Sequence, residues 1–147
     1  NQAGFDPAVV LAGRSINDSM SEYVAVRIDK QLDAASHVLV LGLTFKENVP
    51  DLRNSKVADV VRHLLAKGHE VQVHDPLADA EEADELYGIT LLSEFPSDFD
   101  CVIGCVAHDH YRSFDFVSIL KAGGLIADLK GMWRESEARQ RFRYWSL

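Results

Sequence analysis

The 147-residue sequence predicts an α/β protein: a Rossmann-like, doubly wound parallel sheet of about five strands, preceded by a long N-terminal helix. Three observations lead there. The short apolar run Val38-Leu39-Val40-Leu41 stops at Gly42, as a strand buried on both faces of a parallel sheet does. Beyond an intervening loop, Val57, Val60, Val61, Leu64 and Leu65 recur at helical spacing, with Gly68 placed to end the helix. Apolar runs of strand length then alternate with helical segments, the pattern of successive βαβ units.

Taken in order, residues 1–13 carry no strong periodicity. From Ser15 the pattern changes: Ile16, Met20, Val24, Ile28 and Leu32 recur every four residues with Tyr23 beside them, predicting one amphipathic helix over 15–34. Two readings fit it. The helix packs on its own domain, or it is a connecting helix that leads in from a preceding domain and pairs with a second copy. On the second reading residues 1–35 are the end of a connecting and dimerisation helix, and 36–147 are the sheet domain.

The central strand is followed by a loop and by a helix capped by Asn54 or Ser55. Residues 70–75 alternate apolar and polar through Val71 and Val73, a second strand closed by Asp75-Pro76. A dinucleotide fold holds a ribose diol with an acid at this point, but an Asp before Pro is more often a turn former. An acidic helix over 78–86 stops at Gly88, residues 89–92 make a brief third strand, and 100–106 a fourth. A short helix over 115–121 ends at Gly123-Gly124, 125–129 is the fifth strand, and the basic tail from Arg134 to Arg143, with Trp145, predicts a final surface helix. Right-handed crossovers favour the order 3-2-1-4-5, whose switch point lies between the first and fourth strands. Phe45 and Lys46, the segment His108-Asp109-His110, and Lys130 converge there.

Composition is that of a globular protein, with 47% apolar and 26% charged residues, and a chain of this length buries roughly two-thirds of its unfolded surface. A net charge of −8 argues against nucleic acid or an anionic membrane surface as the main partner. No apolar run approaches the roughly 20 residues of a membrane span, and no targeting segment is visible. Because it begins at Asn1 and not Met, the chain reads as a fragment of a longer polypeptide. Cys101 and Cys105 share one strand face about 13 Å apart, too far for a disulfide, and read as small buried hydrophobes. Free thiols fit a reducing cytoplasm.

A Gly-rich dinucleotide fingerprint is missing after the central strand: positions 44 and 47 are Thr and Glu, and a loop of about ten residues replaces the tight turn. An anion is then held by side-chain ammonium groups, for which Lys46 and Lys130 are the candidates. His108, Asp109 and His110 lack a recognisable third and fourth partner for a metal. Asp51 favours the positive end of the following helix, and Arg53 anchors the loop by ion pairing. No Ser or Cys nucleophile with a plausible base stands out.

The run G-L-T-F-K-E-N-V-P-D-L-R-N-S-K, the following helix, V-Q-V-H-D-P and A-D-L-K-G together resemble the C-terminal, UDP-binding domain of the UDP-glucose/GDP-mannose dehydrogenase family. The F-K-E-N-x-P-D-L-R-N-S-K segment is more narrowly similar to the bacterial UDP-N-acetyl-hexosamine 6-dehydrogenases of surface-polysaccharide synthesis, and L-A-G-R-S-I-N-D-S-M to the start of that family's central dimer-forming helix. The resemblance implies a cytoplasmic homodimer that oxidises the C6 hydroxyl of a UDP-sugar to a carboxylate in two NAD-dependent steps through a cysteine thioester. It also implies that the catalytic cysteine and the NAD-binding domain precede Asn1, since neither Cys101 nor Cys105 matches that motif. Phe45 and Lys46 match the family's Phe-Lys pair at the UDP-sugar, Arg53 matches the Arg of its D-x-R, and Lys130 stands where members often have Arg. The implied partners are a UDP-sugar and the N-terminal domain of the same polypeptide, with no catalytic or metal-binding residue in this chain. Two other readings are an assembly module with an incidental nucleotide site and a free-standing NAD enzyme, the latter disfavoured by the missing fingerprint.

Overall fold

The computed structural model describes residues 18–147. Ile16 and the predicted start of the first helix lie outside them. Helix α1 (Asp18–Asp29) leads to β1 (His37–Leu41), α2 (Val57–Ala66), β2 (Glu70–His74), α3 (Ala80–Tyr87), β3 (Phe99–Gly104), α4 (Phe116–Ile119), β4 (Leu120–Asp128), α5 (Ala138–Arg141) and β5 (Arg143–Ser146). The five strands form one sheet in the order β2-β1-β3-β4-β5, every neighbouring pair parallel.

The α/β class, the parallel sheet and the placement of the central strand agree with the sequence reading; the largest differences are at residues 89–92 and in the tail. Residues 89–92 do not extend into a strand. They make a single parallel bridge, Leu91 to Val73, on the outer side of β2, where the third strand was expected. The fifth strand of the sheet comes instead from the tail, whose helix is one turn, α5, before β5 pairs with β4 from Leu125–Arg143 to Asp128–Ser146. An Arg-rich segment shows no strand signal of its own. Its partners on β4 supply the ladder, and its aromatic residues supply the packing.

Alternate residues of each strand face opposite layers. Val38, Val40, Val73, Cys101, Ile103, Leu125 and Ala127 join one core with Met20, Val24, Ala25 and Ile28 of α1 and Val57, Val60, Val61 and Leu64 of α2. Leu39, Leu41, Phe99, Val102 and Ile126 face an aromatic layer of Tyr111, Phe116 and Trp133. The α1 stripe is thus buried in its own domain at Met20, Val24 and Ile28, packed on α2. The helix ends at Asp29, five residues before the expected end. Gln31 and Leu32 N–H close tight turns back to Ile28 and Asp29, and the Asp29 carboxylate meets buried His69 at 2.7 Å. Cys101 and Cys105 are buried and free, as small hydrophobes are; burial pushes the thiol pKa of Cys105 up to about 12 and that of Cys101 still higher. Among the described residues no helix is long and apolar enough to cross a membrane.

Gly42 sits where the loop after β1 leaves the sheet, at φ 97°, with its N–H bonded to the His74 carbonyl at 2.8 Å. A Cβ there would lie 2.6 Å from Val106 Cβ and 2.9 Å from Val106 N. Gly42→Ala therefore combines a positive φ with a clash against backbone, and is expected to lower stability by about 3 kcal/mol. Urea denaturation measures it, and a midpoint equal to the parent's would contradict the close approach.

Candidate functional site at the carboxyl edge of the sheet

The loops after β1, β3 and β4 leave the same edge of the sheet, and each is pinned by a buried polar residue. Asp75, directly after β2 and 4% exposed, accepts from Leu43 N–H (2.7 Å) and Thr44 N–H (3.0 Å) through Oδ2 and from Leu77 N–H (2.9 Å) through Oδ1. The same Oδ2 lies 3.0 Å from Nε2 of His108, itself 1% exposed. Burial alone would raise the Asp75 pKa. The bonds from His108, Leu43, Thr44 and Leu77 outweigh it and hold the carboxyl at about 2.

At the end of β4, fully buried Asp128 does the same for the next loop, accepting from Met132 N–H (3.0 Å), Trp133 N–H (2.9 Å) and the Tyr144 hydroxyl (2.6 Å). Burial, then the Asp128 carboxylate, push the Tyr144 pKa up to about 12. Lys130 rides on this loop.

Between these pinned loops is a small cleft lined by Thr44, Phe45, Lys46, Asn54, Lys56, Val57, Cys105, Val106 and Lys130. Three lysines and one exposed aromatic residue therefore line one concavity, beside the start of α2. The chemistry this suits is an anion attached to a flat apolar group: ammonium groups bind phosphate oxygens as point charges, and Phe45, 41% exposed, offers a stacking face.

Of the residues singled out from the sequence, Phe45, Lys46 and Lys130 are brought together. Arg53 does not line the cleft: its side chain is 77% exposed, and the guanidinium grips Asp51 through Nε (3.1 Å) and Nη2 (3.3 Å). That is the ion pair expected for it, and the Arg53 bonds lower the Asp51 pKa. The Asp51 carboxylate is engaged by Arg53, and neither Asn54 nor Ser55 is the cap. The helix begins one residue later, with Lys56 at the N-cap and without a side-chain cap bond. Ser55 is occupied in closing the loop, its hydroxyl donating to the Leu43 carbonyl at 2.6 Å while its N–H donates to the Tyr87 hydroxyl at 3.0 Å. Asn54 at φ 60° makes the turn.

His108 belongs to the loop network, while His110 stacks beside His74 at 5.9 Å between ring centroids. Among the described residues no group of three His, Cys, Asp or Glu side chains is arranged to hold a metal. Sequence reasoning missed Lys56, Asn54, Thr44 and the hub function of Asp75. For Asp75 a signal existed, an acid closing a buried strand, but three of its four partners are 31 to 33 residues away. Its two oxygens are filled by four internal donors, which does not fit a ribose diol. With a 15-residue excursion between β1 and α2 in place of a Gly-rich turn, these residues do not fit a nicotinamide dinucleotide.

A parallel sheet with a cationic, aromatic-edged cleft at its carboxyl edge defines a nucleotide-anion-binding α/β domain. The chain belongs to the UDP-glucose/GDP-mannose dehydrogenase family: the model of that family's UDP binding domain matches residues 39–135. Protein CapL of Staphylococcus aureus is 37% identical over 155 aligned residues, covering 99% of this chain and 37% of that protein. The UDP-N-acetyl-D-glucosamine 6-dehydrogenase of Pseudomonas aeruginosa is 40% identical over 147 residues, 92% of this chain and 34% of the relative. The structure of a UDP-glucose dehydrogenase from Pyrobaculum islandicum superposes with a TM-score of 0.65 at 27% identity, over 88% of this chain and 30% of that one. The chain thus spans about a third of the length of the relatives it matches.

Proposed function

We propose that this chain is the UDP-sugar-binding portion of an NAD-dependent nucleotide-sugar 6-dehydrogenase, one that oxidises the C6 hydroxyl of a UDP-N-acetyl-hexosamine, or UDP-glucose, to the uronate for surface polysaccharide. The observation that carries the reading is the joint position of Phe45, Lys46 and Lys130 on one cleft in a chain of this family. Lys46 and Lys130, with Lys56, neutralise the diphosphate, and Phe45 lies against the uracil or sugar. Arg53 joins them by its match to the family's D-x-R; to do so it exchanges its Asp51 partner for the ligand. The N-acetyl-hexosamine assignment follows the names of relatives at 37–40% identity. The working enzyme is read as a cytoplasmic homodimer whose NAD site and catalytic cysteine lie in a further domain, so NAD supplies hydride-accepting chemistry outside the residues described.

Calorimetric titration of the chain with UDP against NAD tests the binding reading: saturable heat is expected with UDP and none with NAD. The chain by itself is also expected to form no NADH with any UDP-sugar, because its two thiols are buried and held protonated. Sustained NADH formation that survives a Cys101→Ser/Cys105→Ser double substitution would show the division of labour to be wrong.

A further inference from the structure

The segment Phe45-Lys46-Glu47 is exposed, yet the residues on either side of it converge on one buried ring. Asn48 N–H donates to His108 Nδ1 at 2.9 Å. The proton of a neutral ring therefore sits on Nε2, which faces Asp75 Oδ2 at 3.0 Å and Thr44 Oγ1 at 3.2 Å. Thr44 Oγ1 in turn donates to the Lys46 carbonyl at 3.1 Å. The clasp is doubled on the far side, where Asp109 N–H donates to Asn48 Oδ1 at 3.0 Å, and Asn48 holds the positive φ of 59° that turns the chain back. Phe45 N–H bonds to the Asp51 carbonyl at 2.7 Å and closes the loop below. One imidazole thus spans Thr44 and Asn48, the two flanks of the Lys46 segment, and ties both to the end of β2.

We propose that His108 is a positioning residue for nucleoside diphosphate binding: it holds the loop after β1 in the conformation that aims Lys46 into the cleft, without touching the ligand itself. The proposal rests on the diphosphate reading of the cleft. Its physical basis is preorganisation. A lysine on an unbraced exposed loop loses conformational freedom when it meets phosphate, whereas a loop already held at both flanks has lost it on folding. Neither a core-filling histidine nor a solvated loop lysine has this consequence, since the first does not act through Lys46 and the second does not depend on His108.

A double-mutant cycle on the full chain, read by calorimetry with UDP, separates these cases. Lys46→Ala is expected to weaken UDP about ten- to a hundredfold, and His108→Ala about tenfold. The double variant should bind about as weakly as Lys46→Ala alone, because once the ammonium group is gone its aim no longer matters. His108→Asn keeps an acceptor near the Nδ1 position and His108→Gln a donor near Nε2, so each should recover part of the loss. They carry the same cycle if His108→Ala does not fold. Losses that multiply in the double variant, or a His108 variant that binds UDP as the parent does, overturn the proposal while leaving the cleft assignment standing. Failure of the parent to bind UDP removes both.

Discussion

Lys46→Ala weakens binding of UDP by about ten- to a hundredfold, the loss expected for one charge-assisted contact to phosphate of roughly 1.5–3 kcal/mol. The residue lines the cleft together with Lys56 and Lys130. Lys130→Ala should cost a comparable amount, because Lys130 is only partly exposed and sits close enough to Cys105 to favour its thiolate, so its field is less screened by water. Raising the salt concentration weakens the parent and narrows the gap between parent and variants. Uridine, lacking phosphates, binds poorly to all of them and with little difference among them. Parallel titrations with UDP and uridine check both halves. If Lys46→Ala binds UDP as tightly as the parent, the loop after β1 is not the phosphate site.

The second large effect is on stability. Asp75→Ala removes the acceptor for three backbone N–H groups and leaves buried His108 Nε2 with only the longer contact to the Thr44 hydroxyl, and is expected to cost about 3–5 kcal/mol. Against a total stability of roughly 5–15 kcal/mol, this moves the urea midpoint far down or unfolds the chain at room temperature. The pH dependence carries the same signature. The carboxyl titrates at about 2 in the folded chain against an ordinary 3.8. The unfolded chain therefore binds the proton more readily, and acid favours unfolding. About 2 kcal/mol of stabilisation is complete above pH ~5, falls as the pH drops below ~4 and is gone once it has passed ~2. Asp75→Asn, which keeps an acceptor oxygen without the charge, should be intermediate in stability and flatter across this window. An Asp75→Ala variant within about 1 kcal/mol of the parent would mean that the four donors find water or other partners.

Much of the scaffold was legible because its determinants are local. Strand β1 announces itself through a run of apolar, partly β-branched residues closed by Gly42, and α2 through the spacing of Val57, Val60, Val61 and Leu64. Helix α3 is equally plain, with Asp79 accepting from Glu81 and Glu82 N–H at its start and Gly88 in the left-handed region at its end. Periodicity and turn chemistry depend on neighbours a few residues away, and a sequence displays those. The Phe45-Lys46 pair and Lys130 were legible for a second reason: a parallel sheet exposes its ligand-binding loops at the carboxyl ends of the strands around the switch point, so strand order alone brought them together.

Tertiary contacts decided the rest. The tail became β5 only because β4 had an edge to pair, and 89–92 stayed a single bridge at Leu91. In β4, pairing passes from Phe99–Leu120 to Cys101–Leu125, so the residues between bulge out around Gly123, where the sequence suggests the end of a helix ahead of a strand over 125–129. The α1 stripe is buried against α2 at Met20, Val24 and Ile28, a packing partner that periodicity alone does not name. The loop network is the clearest case. By itself the sequence determined that an acid ends β2 and a histidine follows β3. That Asp75 and His108, 33 residues apart, meet in the interior and together brace the loop bearing Lys46 follows from the adjacency of β2, β1 and β3, because hydrogen-bond partners are selected by distance in space and burial makes leaving them unpaired costly.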